Sequence, residues 1–181
     1  MQYKSKGEKL EQIVYRTLDW KEIKEILIKN WMTHDGMWFF HCVTRCGIKN
    51  TNKINKAAVK SMAKIEINRI KKAFGFNKIQ TFKQFQDLVR GIFEIVKADF
   101  MDFSYEYPMF NKFKFIMNRC FAYDGVKRLG YIEEYECGIF ERLKGWFDEL
   151  GISYRIKPKV KGCMMNDCGN CYRLFEFEFT E

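Results

Sequence analysis

Both histidines of the chain, His34 and His41, lie in one short aromatic stretch, WMTHDGMWFFHC, that spans residues 31–42. Histidine is the side chain best suited to acid–base chemistry near neutral pH. The two are seven residues apart, which is two helical turns, so a helix would place both rings on nearly the same face. Asp35 adjoins the first ring, and Trp38 adds aromatic surface. The stretch predicts either a small-molecule pocket, with His34, Asp35 and His41 as catalytic residues and Trp38 as a substrate contact, or a core helix with two satisfied histidines.

A lysine-rich segment follows, and it contains one carboxylate. Nine basic residues but only one acid, Glu66, occur between positions 49 and 78. Glu66 is predicted to be either a fourth catalytic residue, acting as ligand or base, or the ion-pair partner of a neighbouring cation such as Arg69. Under the catalytic hypothesis Asn55 and Arg69 bind the substrate, and Arg69 or a lysine holds its carboxylate.

Seven cysteines in a chain without a visible export signal favour free thiols or metal ligands over a disulfide framework. Three of them form a C-x4-C-x2-C pattern in CMMNDCGNC, before the last strand. Cys163, Cys168 and Cys171, with Cys120 as the fourth ligand, are predicted to hold zinc or an iron–sulfur cluster. Cys137 or a histidine is an alternative fourth ligand, and free thiols or a redox dithiol remain alternatives to the metal.

The other cysteines are interpreted from their positions in predicted helices. Cys42 and Cys46 are four residues apart and are interpreted as core residues. Cys137 falls in the first turns of a predicted helix, where the helix N-terminus lowers a thiol pKa and favours a nucleophile. A buried structural role is the alternative for Cys137 and for Cys120.

Composition predicts a packed globular chain whose two halves differ in charge. Of 181 residues, 47% are hydrophobic and 17% aromatic. Residues 1–99 carry 20 basic and 10 acidic residues, a net charge of +10, whereas residues 100–181 carry 12 and 13, a net charge of −1. The basic half predicts attraction to nucleic acid, anionic lipid or an anionic substrate, or only a solvated surface. Nucleic acid ranks last, because the lysines lack interleaved aromatic or arginine residues.

No apolar run is long enough to span a bilayer, and the first residues lack a signal-peptide pattern. We therefore expect a soluble, cytoplasmic protein that has a small-molecule ligand and no membrane partner. Whether copies associate into a homo-oligomer stays open.

Periodicity predicts helices first and strands later. Residues 1–99 show helical spacing at about 8–29, 33–47, 51–74 and 82–97. Thr33 is the predicted N-cap of the second helix, and Gly47 and Gly75 are predicted stops. Thr81 with Gln84 forms a capping-box pattern.

Residues 100–181 change to a period of two around Phe103, Phe113 and Phe175, with a helix at 132–150 and an edge strand near Pro158. The prediction is an α+β fold in which a helical part, 1–99, packs on an antiparallel β-β-α-β-β sheet, 100–181, and shares its core.

The C-terminal region resembles the L-2-amino-thiazoline-4-carboxylic acid hydrolase-like family. The resemblance is carried by Cys120 at a strand end, YECG at 135–138, Trp146, Cys171 and the FEFEF ending. The HDGMWFF segment with the Asn- and Lys-rich helix after it is similar to a related group of cytosolic proteins of unknown function. The order of C-terminal elements also resembles small-molecule-binding domains of the vinyl-reductase type.

The hydrolase-like resemblance implies opening of a cysteine-derived thiazoline ring, which is C–S or C–N cleavage of a small anionic substrate. We therefore expect a hydrolase-like protein that acts on such a substrate. The alternative is a non-enzymatic sensor or carrier with a cysteine-rich metal or ligand site.

Overall fold

The computed structural model describes residues 17–179, and its first long element is a broken helix. Helix α1, Trp20–Ala73, begins at a capping box in which Asp19 and Glu22 exchange backbone-to-side-chain hydrogen bonds. Gly47 interrupts it with φ 73° and ψ 162°, a conformation that glycine adopts without a Cβ clash. The break divides α1 into a first arm, residues 20–46, and a second arm, residues 48–73.

The predicted break at Gly47 is confirmed, but the predicted start of a helix at Thr33 is wrong. Thr33 lies inside the first arm, and its hydroxyl donates to the Lys29 carbonyl one turn earlier. Helix α1 begins after Asp19, inside the helix predicted over about 8–29, and residues 8–16 of that predicted helix lie outside the described residues. No helix within residues 17–179 combines the length and apolar character of a membrane span.

Helix α2, Phe82–Val96, follows the predicted bounds to within one residue. Thr81 caps it, and the Thr81 hydroxyl and the Gln84 side chain complete the predicted capping box. Seven apolar residues at helical spacing form its buried face: Phe82, Phe85, Leu88, Val89, Ile92, Phe93 and Val96.

The C-terminal half contains a four-stranded antiparallel sheet, as predicted. Its strands are β1, Asp102–Glu106; β2, Lys112–Arg119; β3, Tyr154–Lys157; and β4, Tyr172–Phe177. Their spatial order is β1-β2-β4-β3, so β3 is an edge strand. Alternate residues such as Phe113 and Phe175 are buried on one face, because successive side chains of a strand point to opposite sides.

The segments between the strands contain more helices than the sequence predicts. Helix α3, Phe121–Arg128, and a 3-10 turn, Ile132–Glu134, follow β2, and helix α4, Ile139–Glu149, comes next. The helix predicted over 132–150 therefore begins seven residues late. The predicted cysteine loop contains a further short helix, α5, Met164–Cys168.

Helix α4 lies between the sheet and the second arm of α1. Its Phe147 ring is 5.0 Å from Phe175 and 5.1 Å from Phe177 in the sheet. On the opposite side Gly145 meets the second arm so closely that an added Cβ would lie 2.8 Å from the Ala63 methyl. Residues of the helical part and of the sheet belong to one buried cluster.

Candidate functional site

An apolar cavity of about 240 Å³ lies where both arms of α1 meet α4 and one end of the sheet. The first arm contributes Trp31 and Phe39 and the second arm Val59 and Met62, so the break at Gly47 turns both arms toward the same space. The remaining apolar lining comes from α2, the sheet, α3 and α4: Phe93, Val96, Met101, Phe103, Phe115, Met117, Phe121, Ala122, Val126, Ile139, Leu143 and Trp146.

Few polar side chains line this cavity. They are Asp35 in the first arm, Asn55 in the second arm, Tyr135 before α4 and Arg142 in α4. A mostly apolar wall with a small number of polar groups is typical of small-molecule sites. We call this space the α1–α4 cavity.

Arg142 is held in a defined orientation on the cavity wall. Its Nε donates to Glu66 Oε2 at 2.8 Å and its Nη2 to Glu66 Oε1. The Glu66 carboxylate also accepts the Trp146 indole N–H at 2.8 Å. The guanidinium carbon lies 5.1 Å from the centre of the Trp31 ring and 5.3 Å from that of Trp146, within cation–π range of both. The Nη1 group of Arg142 makes no hydrogen bond to any residue between 17 and 179.

The other polar groups gather at the first turn of α4. The Tyr135 hydroxyl accepts the Gly138 backbone N–H at 3.4 Å, and Gly138 is the N-cap of α4. The Asn55 amide packs directly on Gly138, since an added Cβ there would lie 2.8 Å from Asn55 Nδ2. Arg142 is one turn further along, and its backbone N–H donates to the Gly138 carbonyl at 3.3 Å. In the described part of the chain the Asn55 side chain has no hydrogen-bond partner, and the Tyr135 O–H has no acceptor.

The predicted catalytic residues of the first arm are only partly at the cavity. Asp35 lines it, but His34 and His41 are exposed and do not. The His34 side chain is 76% exposed, and its Nδ1 lies 3.4 Å from Asp35 Oδ1. His41 has an edge contact with Phe40 at 5.1 Å between ring centres. A catalytic role for the two histidines stays a prediction.

The predicted substrate contacts are also divided between cavity and surface. Asn55 lines the cavity, whereas Trp38 and Arg69 are exposed and lie outside its wall. Glu66 binds neither Arg69 nor the histidines, and its partner Arg142 is 76 positions later in the chain.

Two lysines of the second arm form ion pairs with acidic residues in or near α4. Lys60 forms an ion pair of 2.7 Å with Asp148 in α4. Lys56 pairs with Glu136, just before α4. These lysines therefore join α1 to the α4 region.

Three of the four predicted metal ligands are buried near one another, and the fourth is not. Cys120, Cys163 and Cys171 are buried, whereas Cys168 is exposed at the end of α5. Cys137 takes its place, because the thiols of Cys120, Cys137 and Cys163 are all close enough to raise the pKa of Cys171. No group of three or more His, Cys, Asp or Glu side chains within residues 17–179 is arranged to hold a metal ion. Zinc or an iron–sulfur cluster stays a prediction, which elemental analysis of the purified protein tests.

The buried thiols have raised pKa values, whereas the predicted nucleophile requires a lowered one. Burial raises the pKa of Cys120 and of Cys171 to about 12. Burial also raises the pKa of Cys137, although the backbone N–H groups of Ile139 and Phe140 at the start of α4 act in the opposite direction. The helix terminus has the expected sign, but desolvation outweighs it. The interpretation of Cys46 as a core residue is wrong, since it is exposed, and Cys42 is half-buried.

The sequence reasoning missed two arginines, the half-buried Arg142 and the buried Arg173. Arg142 follows Ile139 by three residues, a helical spacing that puts it beside the apolar face of α4. Arg173 precedes Phe175 by two residues in β4, so strand alternation predicts that it faces the core. It is only 4% exposed, and no carboxylate of residues 17–179 forms a salt bridge with it. The Phe140 ring lies 4.4 Å from its guanidinium carbon.

Comparison with known proteins places the chain in a family without assigning an activity. No curated protein and no solved structure matches it significantly. The model of a family described as "Family of unknown function (DUF6125)" matches residues 16–170, which is most of the chain. The protein therefore belongs to this family of unknown function, DUF6125.

Proposed function

We propose that this protein is a non-enzymatic small-molecule-binding protein, a carrier or sensor, whose ligand occupies the α1–α4 cavity. The observation that carries the proposal is the cavity itself, about 240 Å³ of space surrounded by aromatic and aliphatic side chains. When the cavity is empty its apolar wall faces water, so an apolar ligand that covers this wall is favoured by the hydrophobic effect.

The size and wall chemistry indicate a small, largely apolar ligand. The volume is larger than the engineered cavity of ~150 Å³ that binds benzene, and below the usual ~300–1,000 Å³ of drug-sized sites. Aromatic side chains such as Phe93 and Phe115 in its wall offer faces and edges for an aromatic or alkyl body. We therefore expect ligands of about the size of naphthalene.

Naphthalene binding tests the proposal. Its fluorescence should change on titration with the protein, and naphthalene at ten times its Kd should stabilise the fold by about 1.4 kcal/mol. Native mass spectrometry of the protein as purified would reveal a ligand carried over from the expressing cell.

A wall-filling variant locates the binding. Ala122→Leu places an isobutyl group where a methyl group lines the cavity, and it should weaken naphthalene binding at least tenfold. Ala58→Leu is the matched control, because Ala58 is exposed in the second arm and lies outside the wall. Equal binding by both variants, or no binding by the natural sequence, would refute the proposal.

A further inference from the structure

The polar groups of the α1–α4 cavity restrict which ligand it accepts. Resting on the proposed binding function, we infer that the ligand is an uncharged molecule with an apolar body and one carbonyl group. The carbonyl contacts the Asn55 amide beside Gly138, at the first turn of α4.

The free hydrogen-bonding capacity of the wall is rich in donors. Tyr135 keeps its O–H, Arg142 keeps its Nη1 hydrogens, and Asn55 keeps both its amide hydrogens and its carbonyl oxygen. Partners for these groups are absent among residues 17–179. Asn55 and Arg142 are half-buried, so a ligand that displaces water from them should supply acceptors in place of that water. A carbonyl oxygen is such an acceptor, and a primary amide can also donate to Asn55 Oδ1.

The geometry brings two of these donors, the Asn55 amide and the Tyr135 hydroxyl, to one place. Asn55 packs on Gly138, the Tyr135 hydroxyl accepts the Gly138 N–H, and the Arg142 N–H bonds the Gly138 carbonyl. The Asn55 and Tyr135 side chains thus meet at Gly138, whereas the Arg142 guanidinium is directed further along the second arm, to Glu66. The stacking of Arg142 between Trp31 and Trp146 holds its guanidinium in place.

The charges in the cavity wall favour a neutral carbonyl group over a carboxylate. Glu66 already compensates the cation of Arg142 through two hydrogen bonds. Asp35, on the opposite arm, adds a negative charge to the cavity wall. An anionic ligand would therefore add a further negative charge to a site that is already compensated, in surroundings that are mostly apolar. A neutral ligand differs from the small anionic substrate that the hydrolase-like resemblance implies.

Octanamide and octanoate form a matched pair of probes, because they share a chain length and differ in the charge of the terminal group. At neutral pH we expect octanamide to bind at least tenfold more tightly than octanoate, a difference of about 1.4 kcal/mol, by calorimetric titration. Octylammonium, a cation of similar length, should also bind more weakly than octanamide, since it cannot accept a hydrogen bond from the Asn55 amide.

Variants assign the preference to the named groups. Asn55→Leu should weaken octanamide binding at least fivefold and leave naphthalene binding within twofold. Asn30→Leu is the control, because Asn30 is exposed in the first arm and away from the cavity wall. A circular dichroism spectrum and Tm for each variant check that the fold is kept.

The outcomes separate this inference from the proposed function. Naphthalene binding with a preference for octanamide that Asn55→Leu removes supports both. Naphthalene binding with octanoate equal to or tighter than octanamide overturns the neutral-carbonyl inference and leaves the apolar binding function standing. Failure of naphthalene and of all three alkyl probes to bind overturns both.

Discussion

Glu66→Ala should be among the most damaging single substitutions in the second arm of α1. The Glu66 carboxylate accepts two hydrogen bonds from Arg142 and one from the Trp146 indole. The side chains of Arg142 and Glu66 are only 18% and 13% exposed. Alanine would therefore strand a largely buried guanidinium and leave a buried indole N–H without its acceptor.

The expected loss follows from that burial. Removing one partner of a buried ion pair costs about 3–5 kcal/mol, because the remaining charge stays desolvated without compensation. In a domain of this size each kcal/mol lowers Tm by about 2–4 °C, so we expect a decrease of about 6–20 °C. Urea unfolding followed by circular dichroism gives the change in free energy of unfolding, and a thermal scan gives Tm.

Two further variants identify the cause. Glu94→Ala makes the same change at an exposed position of α2 and should alter stability by less than about 0.5 kcal/mol. Combining Glu66→Ala with Arg142→Met should recover part of the loss, since it removes the stranded cation. The reasoning is refuted if Glu66→Ala falls within about 1 kcal/mol of Glu94→Ala, or if the double variant is less stable than Glu66→Ala alone.

Three other predictions concern packing, a buried charge and pH. Gly145→Ala should destabilise by about 1–3 kcal/mol, because its Cβ would lie 2.8 Å from the side chain facing it in the second arm. Gly125→Ala is the control, because an added Cβ there meets nothing within 4 Å, and it should stabilise the protein by up to about 1 kcal/mol. If both variants changed the free energy of unfolding in urea equally, the close approach of Gly145 to the second arm would be contradicted. Arg173→Met should leave the free energy of unfolding unchanged or higher, since it removes a buried charge that has no carboxylate partner within residues 17–179; a loss above about 2 kcal/mol would reveal a counter-charge. Cys120 and Cys171 have folded-state pKa values of about 12 and an ordinary value of 9.0, so the unfolded chain ionises first and stability should fall as pH rises from about 9 towards 12. Urea unfolding in reductant at about pH 8 and about pH 10 measures this fall in stability. The fall should be smaller when both residues are alanine, and an equal fall in that variant would contradict the burial of the thiols.

Local patterns predicted the parts of the fold that depend on neighbours in sequence. The inward positions of α2 follow from helical spacing, and its capping box follows from Thr81 and Gln84. The buried faces of β2 and β4 follow from strand alternation, and the break at Gly47 follows from glycine's tolerance of positive φ. The late start of α4 was missed, because the residues before it have helical spacing of apolar side chains but form a 3-10 turn.

The candidate site was predictable only in part. Asp35 and Asn55 were expected at a ligand site and line the cavity, but Arg142 and Tyr135 were not expected there. His34 and His41 share a helical face, as their spacing predicts, and that face is exposed. Spacing defines which residues share a face, but it does not define whether another element covers that face.

The sequence by itself determined the periodicities, caps and breaks of this protein, since these depend on residues within a few positions of one another. Tertiary structure alone decided the cavity, the Glu66–Arg142 ion pair and the raised pKa of the buried thiols. The cavity requires that side chains from several distant segments meet without filling the space between them. The ion pair joins positions 76 apart, and the thiol pKa depends on desolvation, so both arise from how distant surfaces pack and exclude water.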